Sequence, residues 1–464
     1  MTKLGDHALV LGGSISGLLA ARVLADFYSR VTVIERDELL DDPCARRGVP
    51  QSRHPHALLA RGAQTVDALF PGILDELIAY GAPAEVDGDL SRLYCSYQGH
   101  VMARSGLVSG DPKGLAVYQP SRSLLESHIL RRLRALPNVT MIDGHTVTDL
   151  MSGADRSRIT GARIIDRDGD AGQDLVADLV VDAMGRAART PATLEHLGYG
   201  RPTEDRIVMH TKYVTQALHI PPGTVKELLT LVTPVVDRPT GVVLFGNESD
   251  VWMFTAYGMA GHEPPDDLPG LLAFAQKVAP PHVLTALRSG EPIGPVAHHQ
   301  MPCSQWRRYD KMSRFPAGLL VSGDAMCSFN PIYGQGMSVA AMDAVALQEA
   351  LRGGTTDLAR RYFRAAAKGI SVAWDIGAGS DLVFPEVQGR RTPGMRFINW
   401  YVRHVLTAGE TDPDVFVQFA RVTGLLDPPT VMFRPEFLYR VATVNRRRRQ
   451  RDSRSPNADL TLSA

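Results

Sequence analysis

The chain has 464 residues, 44% of them hydrophobic, with 50 Lys and Arg set against 50 Asp and Glu; it is long enough for two or more modules and lacks the basic excess of a nucleic-acid binder. Cys44, Cys95, Cys303 and Cys327 are scattered with no CxxC pair, which excludes a disulfide framework and fits a reduced cytoplasmic protein. Too few apolar residues precede the first glycine turn for a secretion signal, and no run approaches the roughly 18 needed to cross a bilayer, so integral membrane association is not expected.

HALVLGG at 7–13 reads as a short buried strand entering a turn, and ISGLLAARVLADF at 15–27 as a helix with leucines at helical spacing. A second apolar run at 31–34 closes on Glu35, completing a βαβ unit with its helix over one face of a parallel sheet. After an irregular stretch at 41–56, helical spacing returns through LLARGAQTVDALFPGILDEL and again at 120–136. VTMIDGHTVTDL, GARIIDRDG and LVADLVVDAMG are strand-like.

Between about 206 and 260 the apolar period becomes that of strands, with a hairpin predicted around the Asn-Glu-Ser-Asp turn of TGVVLFGNESDVWMFTAYG. A buried strand follows at 317–325 and a helix at 336–351, and 380–440 mixes aromatics and prolines with short helical pieces such as FINWYVRHVL. The expected fold is α/β, a Rossmann-like parallel sheet of the glutathione-reductase type, with an inserted, mainly antiparallel substrate-binding layer and a helical C-terminal region. Its cofactor-binding segments are 1–75, 121–200 and 311–365, its substrate-layer segments 76–120 and 201–310. Helices occupy 366–445, and a disordered basic tail 446–464, whose arginine run either meets solvent or a phosphate-rich surface.

The turn Gly12-Gly13-Ser14-Ile15-Ser16-Gly17 approximates a GxGxxG dinucleotide fingerprint, with Ser14 in place of the second glycine. The following helix would aim free N–H groups at a pyrophosphate, and Glu35 stands where a carboxylate accepts ribose hydroxyls. Two distant constellations separate this chain from a nicotinamide dehydrogenase: Asp182, Gly185 and Arg186 in one, and Gly323-Asp324-Ala325 with Asn330 to Met337 in the other. Asp324 at a strand end is placed to receive a ribityl hydroxyl. Pro331 fixes a turn, and the backbone of Gly334, Gly336 and Met337 is expected to donate to the O2/N1 edge of an isoalloxazine, where reduction places negative charge.

Three motifs, GGSISG…VIER at 12–36, DAMGRAARTP at 182–191 and GDAMCSFNPIYGQGMSVA at 323–340, make the chain resemble the aromatic-hydroxylase-like class of FAD-dependent monooxygenases. RRGVPQSRHPHALLARG at 46–62 narrows the resemblance to the bacterial flavin epoxidases of polyether biosynthesis. The resemblance implies FAD, with NADPH or NADH as a transient donor that owns no Rossmann domain, and O2 activated as a flavin C4a-hydroperoxide, so that no catalytic side chain is required. It also implies Arg36, Val49 and Gln51 at the cofactor, Arg46 or Arg47 where donor and flavin phosphates meet, Arg122 at the pyrophosphate or ribityl region, and Arg186 near phosphate. Met184–Gly185 departs from the more usual Asp-Gly pair.

The expected substrate is an apolar small molecule, polyketide-like or aromatic, to be epoxidised or hydroxylated between the flavin and the inserted layer. Tyr213, Trp252, Phe254 and Tyr257 are candidates to face it, or core residues. His54 with His56, and His298 with His299 and Cys303, lack a convincing converging ligand set, so no metal is expected. A halogenase would carry a lysine and a WxWxIP segment; no lysine lies between Leu4 and Pro112, and the segment is absent. A flavin dehydrogenase without oxygen insertion and a noncatalytic binding module are the alternatives.

Overall fold

The strand Gly5–Leu11 ends in five consecutive buried residues, as expected of a strand covered on both faces. In the computed structural model, which describes residues 3–108, 115–167, 169 and 172–454, it is the middle strand of a five-stranded parallel sheet. The order is Leu319–Val321, Leu179–Asp182, Gly5–Leu11, Tyr28–Ile34, Val139–Ile142. Helices Ile15–Phe27 and Gly336–Arg352 pack against each other. The link from Val139–Ile142 back to Leu179–Asp182 is a three-stranded antiparallel sheet, His145–Ser152, Ile159–Asp166 and Gly172–Val176.

The second large sheet has eight strands in the order Cys327–Ser328, Glu291–Arg307, Glu204–His219, Val251–Gly258, Thr240–Gly246, Leu229–Val232, Leu93–Tyr97, His100–Val101. It is antiparallel except where Leu229–Val232 runs parallel to Leu93–Tyr97. Both faces are covered along its strands Thr240–Gly246 and Val251–Gly258, which is why these are mostly apolar on both parities. Val214, Leu218, Leu244, Phe254 and Ala256 pack under the helices Leu268–Ala275 and Pro281–Ser289. Tyr213, Val243, Phe245 and Tyr257 face a second core shared with the C-terminal helices through Leu406, Phe416 and Phe419.

Those helices begin on readable caps. Thr392 accepts from Met395 N ahead of Pro393–Gly409, and Asp412 accepts from Asp414 N and Val415 N ahead of Pro413–Thr423, each with proline at the first helical position. The helical run after 58 is two helices, Ala60–Leu69 and Ile73–Ala79, divided at Gly72, whose φ of +83° favours glycine.

Two expectations are corrected. Cys327–Ser328, assigned by sequence to the cofactor framework, pairs with Glu291–Arg307 at the edge of the second sheet. The final helix, Pro435–Arg454, continues well past 446, where a disordered tail was expected, because Asn445 donates to His404 O and Arg448 binds Thr407 O and Glu410. Residues 455–464 of that tail lie outside the described residues. No described helix is long and apolar enough to cross a membrane.

Candidate active site

The first glycine turn closes on its own backbone. Gly12, at φ +104°, has Ala183 O 2.6 Å from where a Cβ would sit, and a Cβ on Gly17 would lie 1.8 Å from Gly12 O. The close strand-to-helix approach therefore depends on both glycines. Ser14 stands at the helix N-cap without capping it, which leaves the first-turn N–H groups of Ile15 and Ser16 beside a cavity that both residues line.

The Ser14 hydroxyl is engaged elsewhere: it donates to Glu126 Oε1 at 2.6 Å and accepts from Arg122 Nη2 at 2.9 Å. Arg122 Nε binds Glu126 Oε1 at 2.8 Å, while Arg46 Nη2 reaches Glu126 Oε2 at 2.5 Å and Gly13 O at 3.0 Å. Glu35 accepts from Gly13 N at 2.6 Å and Asp37 N at 3.1 Å and lies 3.6 Å from Arg46 Nη1. Burial alone would raise the Glu126 carboxyl, but Arg122, Arg46 and the hydrogen bonds from Ser14 and Arg46 hold it below its ordinary range. Arg46 Nη1 is buried without a hydrogen-bond partner. Arg36, Val49 and Gln51 line the cavity, whereas Arg46, held by Glu126 and Glu35, and the exposed Arg47 both lie outside its lining.

Asp182 is buried beneath the second motif, where it accepts from Thr190 Oγ1 at 2.5 Å and Met184 N at 3.0 Å. It braces the turn, leaving Met184, Gly185 and Arg186 at the cavity wall. Arg186 donates to Cys303 O at 2.8 Å and touches Cys303 Sγ at 3.1 Å. In the third motif Asp324 lines the cavity and its exposed surface faces it. Desolvation among surrounding protein atoms raises its carboxyl, opposed by Arg122 and Arg186. Pro331, Gly334, Gly336 and Met337 also line the cavity, and helix Gly336–Arg352, like the first helix, starts without a side-chain cap.

All three motifs open on one cavity of about 1650 Å³, beyond the roughly 300–1,000 Å³ of a drug-sized pocket. Away from the motifs its wall is the second sheet, represented by alternate residues of adjacent strands: Cys95 and Tyr97, Leu229 and Leu231, Val243 and Phe245, Thr255 and Tyr257. This parity divides the four aromatic candidates. Tyr213 and Tyr257 line the cavity, whereas the expectation for Trp252 and Phe254 is corrected: both belong to the opposite face, against the helices Leu268–Ala275 and Pro281–Ser289. Opposite the sheet, helix Pro393–Gly409 contributes Met395, Asn399, Val402 and Leu406.

No protein-family model matches the chain. It is 39% identical to "Protein Rv3254" of Mycobacterium tuberculosis over 433 residues, covering 91% of this chain and 90% of that protein. The chain belongs to the family of Protein Rv3254. Among solved structures, the flavin-dependent brominase Bmp2 aligns over 97% of this chain and 100% of its own with a TM-score of 0.65 and 14% identity. The p-nitrophenol 4-monooxygenase PnpA of Pseudomonas putida DLL-E4 aligns over 92% of this chain and 100% of its own, with a TM-score of 0.64 and 18% identity. The fold is thus the one used by flavin-dependent monooxygenases.

In this relative of Rv3254 the site also holds residues that sequence reasoning missed. Glu126, four residues after Arg122 on one helix face, was the legible one. Asp381 is the other, and it joins Tyr213, Asn330 and Tyr333 in a buried network at the cavity wall. Tyr213 OH donates to Asn330 Oδ1, Asn330 Nδ2 donates to Asp381 Oδ1 at 2.9 Å, and Tyr333 OH donates to the same oxygen at 2.7 Å. Burial pushes Asp381 up to about 7, against the hydrogen bonds from Tyr333 and Asn330. His54 Nδ1 lies 2.7 Å from Thr215 Oγ1, and burial, reinforced by His299 and other nearby basic side chains, lowers it to about 3, so it is neutral at pH 7.

A folded-state pKa raised from 3.8 to about 7 makes Asp381 favour the unfolded chain progressively as pH climbs through that window. The expected slope is about −1.4 kcal/mol of stability per pH unit, levelling off above the folded value. In Asp381→Asn the side-chain oxygen still accepts from Tyr333 and Asn330 while the titration is gone. Denaturant unfolding at pH 5, 6 and 7 is expected to show wild type losing about 1 kcal/mol more per unit than the variant. Superimposable pH profiles would mean that the carboxyl is not held neutral.

Proposed function

We propose that this chain is an FAD-dependent monooxygenase that uses NADPH or NADH and O2 to epoxidise an alkene in, or hydroxylate, an apolar polyketide-like or aromatic small molecule. The observation that carries the reading is the continuity of one cavity from Glu35 through Asp324 and residues 334–337 to the apolar face of the second sheet. The fold likeness to a p-nitrophenol monooxygenase supports it. Among the described residues lining the cavity none is a lysine, which disfavours halogenation despite the likeness to a brominase.

The residues present fit FAD. Two uncapped helix N-termini suit a pyrophosphate and an anionic ring edge, Glu35, Arg122 and Asp324 line the same cavity, and a Cβ on Gly336 would meet nothing within 4 Å. Glu35 would hold the adenosine ribose, Arg122 the pyrophosphate or ribityl region, Asp324 the ribityl chain, and the backbone at 334–337 the isoalloxazine ring. When bound, FAD supplies electron transfer from the nicotinamide and activation of O2.

The chain's own part is positional. Leu229, Leu231, Val243, Phe245, Phe416 and Phe419 exclude water and hold an apolar molecule. Tyr213, fixed through Asn330 and Asp381, and neutral His54, fixed by Thr215, are the polar groups that orient it. The balance is substrate, O2, NAD(P)H and a proton giving oxygenated product, water and NAD(P)+. Incubation with FAD, reduced nicotinamide, labelled O2 and candidate polyenes or phenols is expected to place one labelled oxygen atom in the product. Oxidised product without label would establish a dehydrogenase instead, and protein that stays colourless with FAD would favour a noncatalytic module.

A further inference from the structure

Helix Pro393–Gly409 has two working faces. Met395, Asn399, Val402 and Leu406 line the cavity. On the other side, at three- and four-residue spacing, stand Phe397, 56% exposed, and Trp400, 47% exposed, their rings stacked 5.8 Å apart. Arg396 and Arg403 are exposed on that same outer side, one turn to either side of Trp400. Ile398 is 41% exposed and also lines the cavity, so the aromatic face adjoins an edge of the cavity wall. Asn445 to His404 and Arg448 to Thr407 set the last helix alongside, adding exposed Arg446 and Arg449.

We infer that this outer face docks on an anionic lipid bilayer. Aromatic side chains flanked by arginines on one side of a helix too short and too polar to span the membrane describe an interfacial helix. The arginines supply complementarity to anionic headgroups. Trp and Phe prefer the headgroup boundary, where an apolar body and a wet rim coexist. The bilayer is then separated from the cavity by one helix, and an apolar molecule dissolved in lipid has a short route to it. Exposed aromatics and arginines make this face suited to a bilayer whatever reaction the cavity supports.

The test is co-sedimentation of the full chain, with FAD added, with phosphatidylcholine vesicles and with vesicles containing phosphatidylglycerol. Partition into the anionic vesicles is expected to be at least about tenfold greater, falling as salt screens the arginines. Phe397→Ser/Trp400→Ser and, separately, Arg396→Glu/Arg403→Glu are each expected to reduce that partition at least about tenfold. Because the four side chains are exposed, both variants should retain the wild-type melting temperature and FAD binding. Absence of binding to anionic vesicles, or equal partition of wild type and both variants, would overturn the inference. It would also be overturned if the wild type sediments as a dimer that Phe397→Ser/Trp400→Ser dissociates, since the face would then belong to a second copy.

Discussion

Replacing Glu126 with glutamine is expected to cost about 3–5 kcal/mol of stability, lowering the melting temperature by roughly 3–5 °C, and to weaken FAD binding. The carboxylate is the only one hydrogen-bonded to both Arg46 and Arg122 among the described residues, and all three side chains are at most 9% exposed. An amide preserves the shape while leaving two guanidinium groups buried with too little negative charge. Opening an exposed pair such as Arg201–Glu195 is the control, with no measurable change expected because solvent screens it.

The pH dependence separates charge from shape. Glu126 is held below its ordinary value in the folded protein, so its stabilisation is fully present above the unfolded carboxylate range and is lost as pH falls through the depressed folded value. The stability gap between wild type and Glu126→Gln should therefore be constant near neutrality and narrow below about pH 4.5. A gap that is unchanged in acid would mean that the amide disturbs packing and not the ion cluster. Chemical denaturation at fixed pH, with fluorescence titration of FAD, measures both effects.

What the sequence made legible was local. A strand, a turn, a helix and a closing carboxylate within about thirty residues form a unit whose geometry follows from spacing, and the boundaries 15–27 emerge unchanged. Asp324 and the turn after it were legible for the same reason. What escaped depends on contacts between distant segments: Glu126 meets Ser14 across 112 positions, and Asp381 meets Asn330 across 51. Trp252 and Phe254 were misplaced because their strand, Val251–Gly258, is apolar on both faces, so alternation carries no sign telling which parity faces the cavity. The same blindness left 380–440 as helical pieces without a role, whereas its helix Pro393–Gly409 supplies one wall of the cavity.

The glycines of the two helix-starting turns offer a sharper contrast than any charged residue. Gly17→Ala is expected to destroy the first turn, because its Cβ would stand 1.8 Å from Gly12 O with Val10 Cγ1 at 3.2 Å behind it. The nearer obstacle is backbone, with no flexible side chain to yield, so the cost should exceed the usual overpacking range of about 1–3 kcal/mol and FAD binding should be lost with it. Gly336→Ala meets nothing within 4 Å and lies outside the left-handed region, so its stability is expected to stay within about 1 kcal/mol of wild type. Its methyl group would occupy space beside the cavity where the flavin ring is proposed to approach the backbone. FAD affinity should then fall at least about tenfold while the fold is untouched, a loss of about 1.4 kcal/mol in binding. If Gly336→Ala binds FAD as wild type does, the turn at 334–337 does not carry the ring and the proposed cofactor site fails at its third anchor; if Gly17→Ala alone fails, the first anchor has been tested only through the fold.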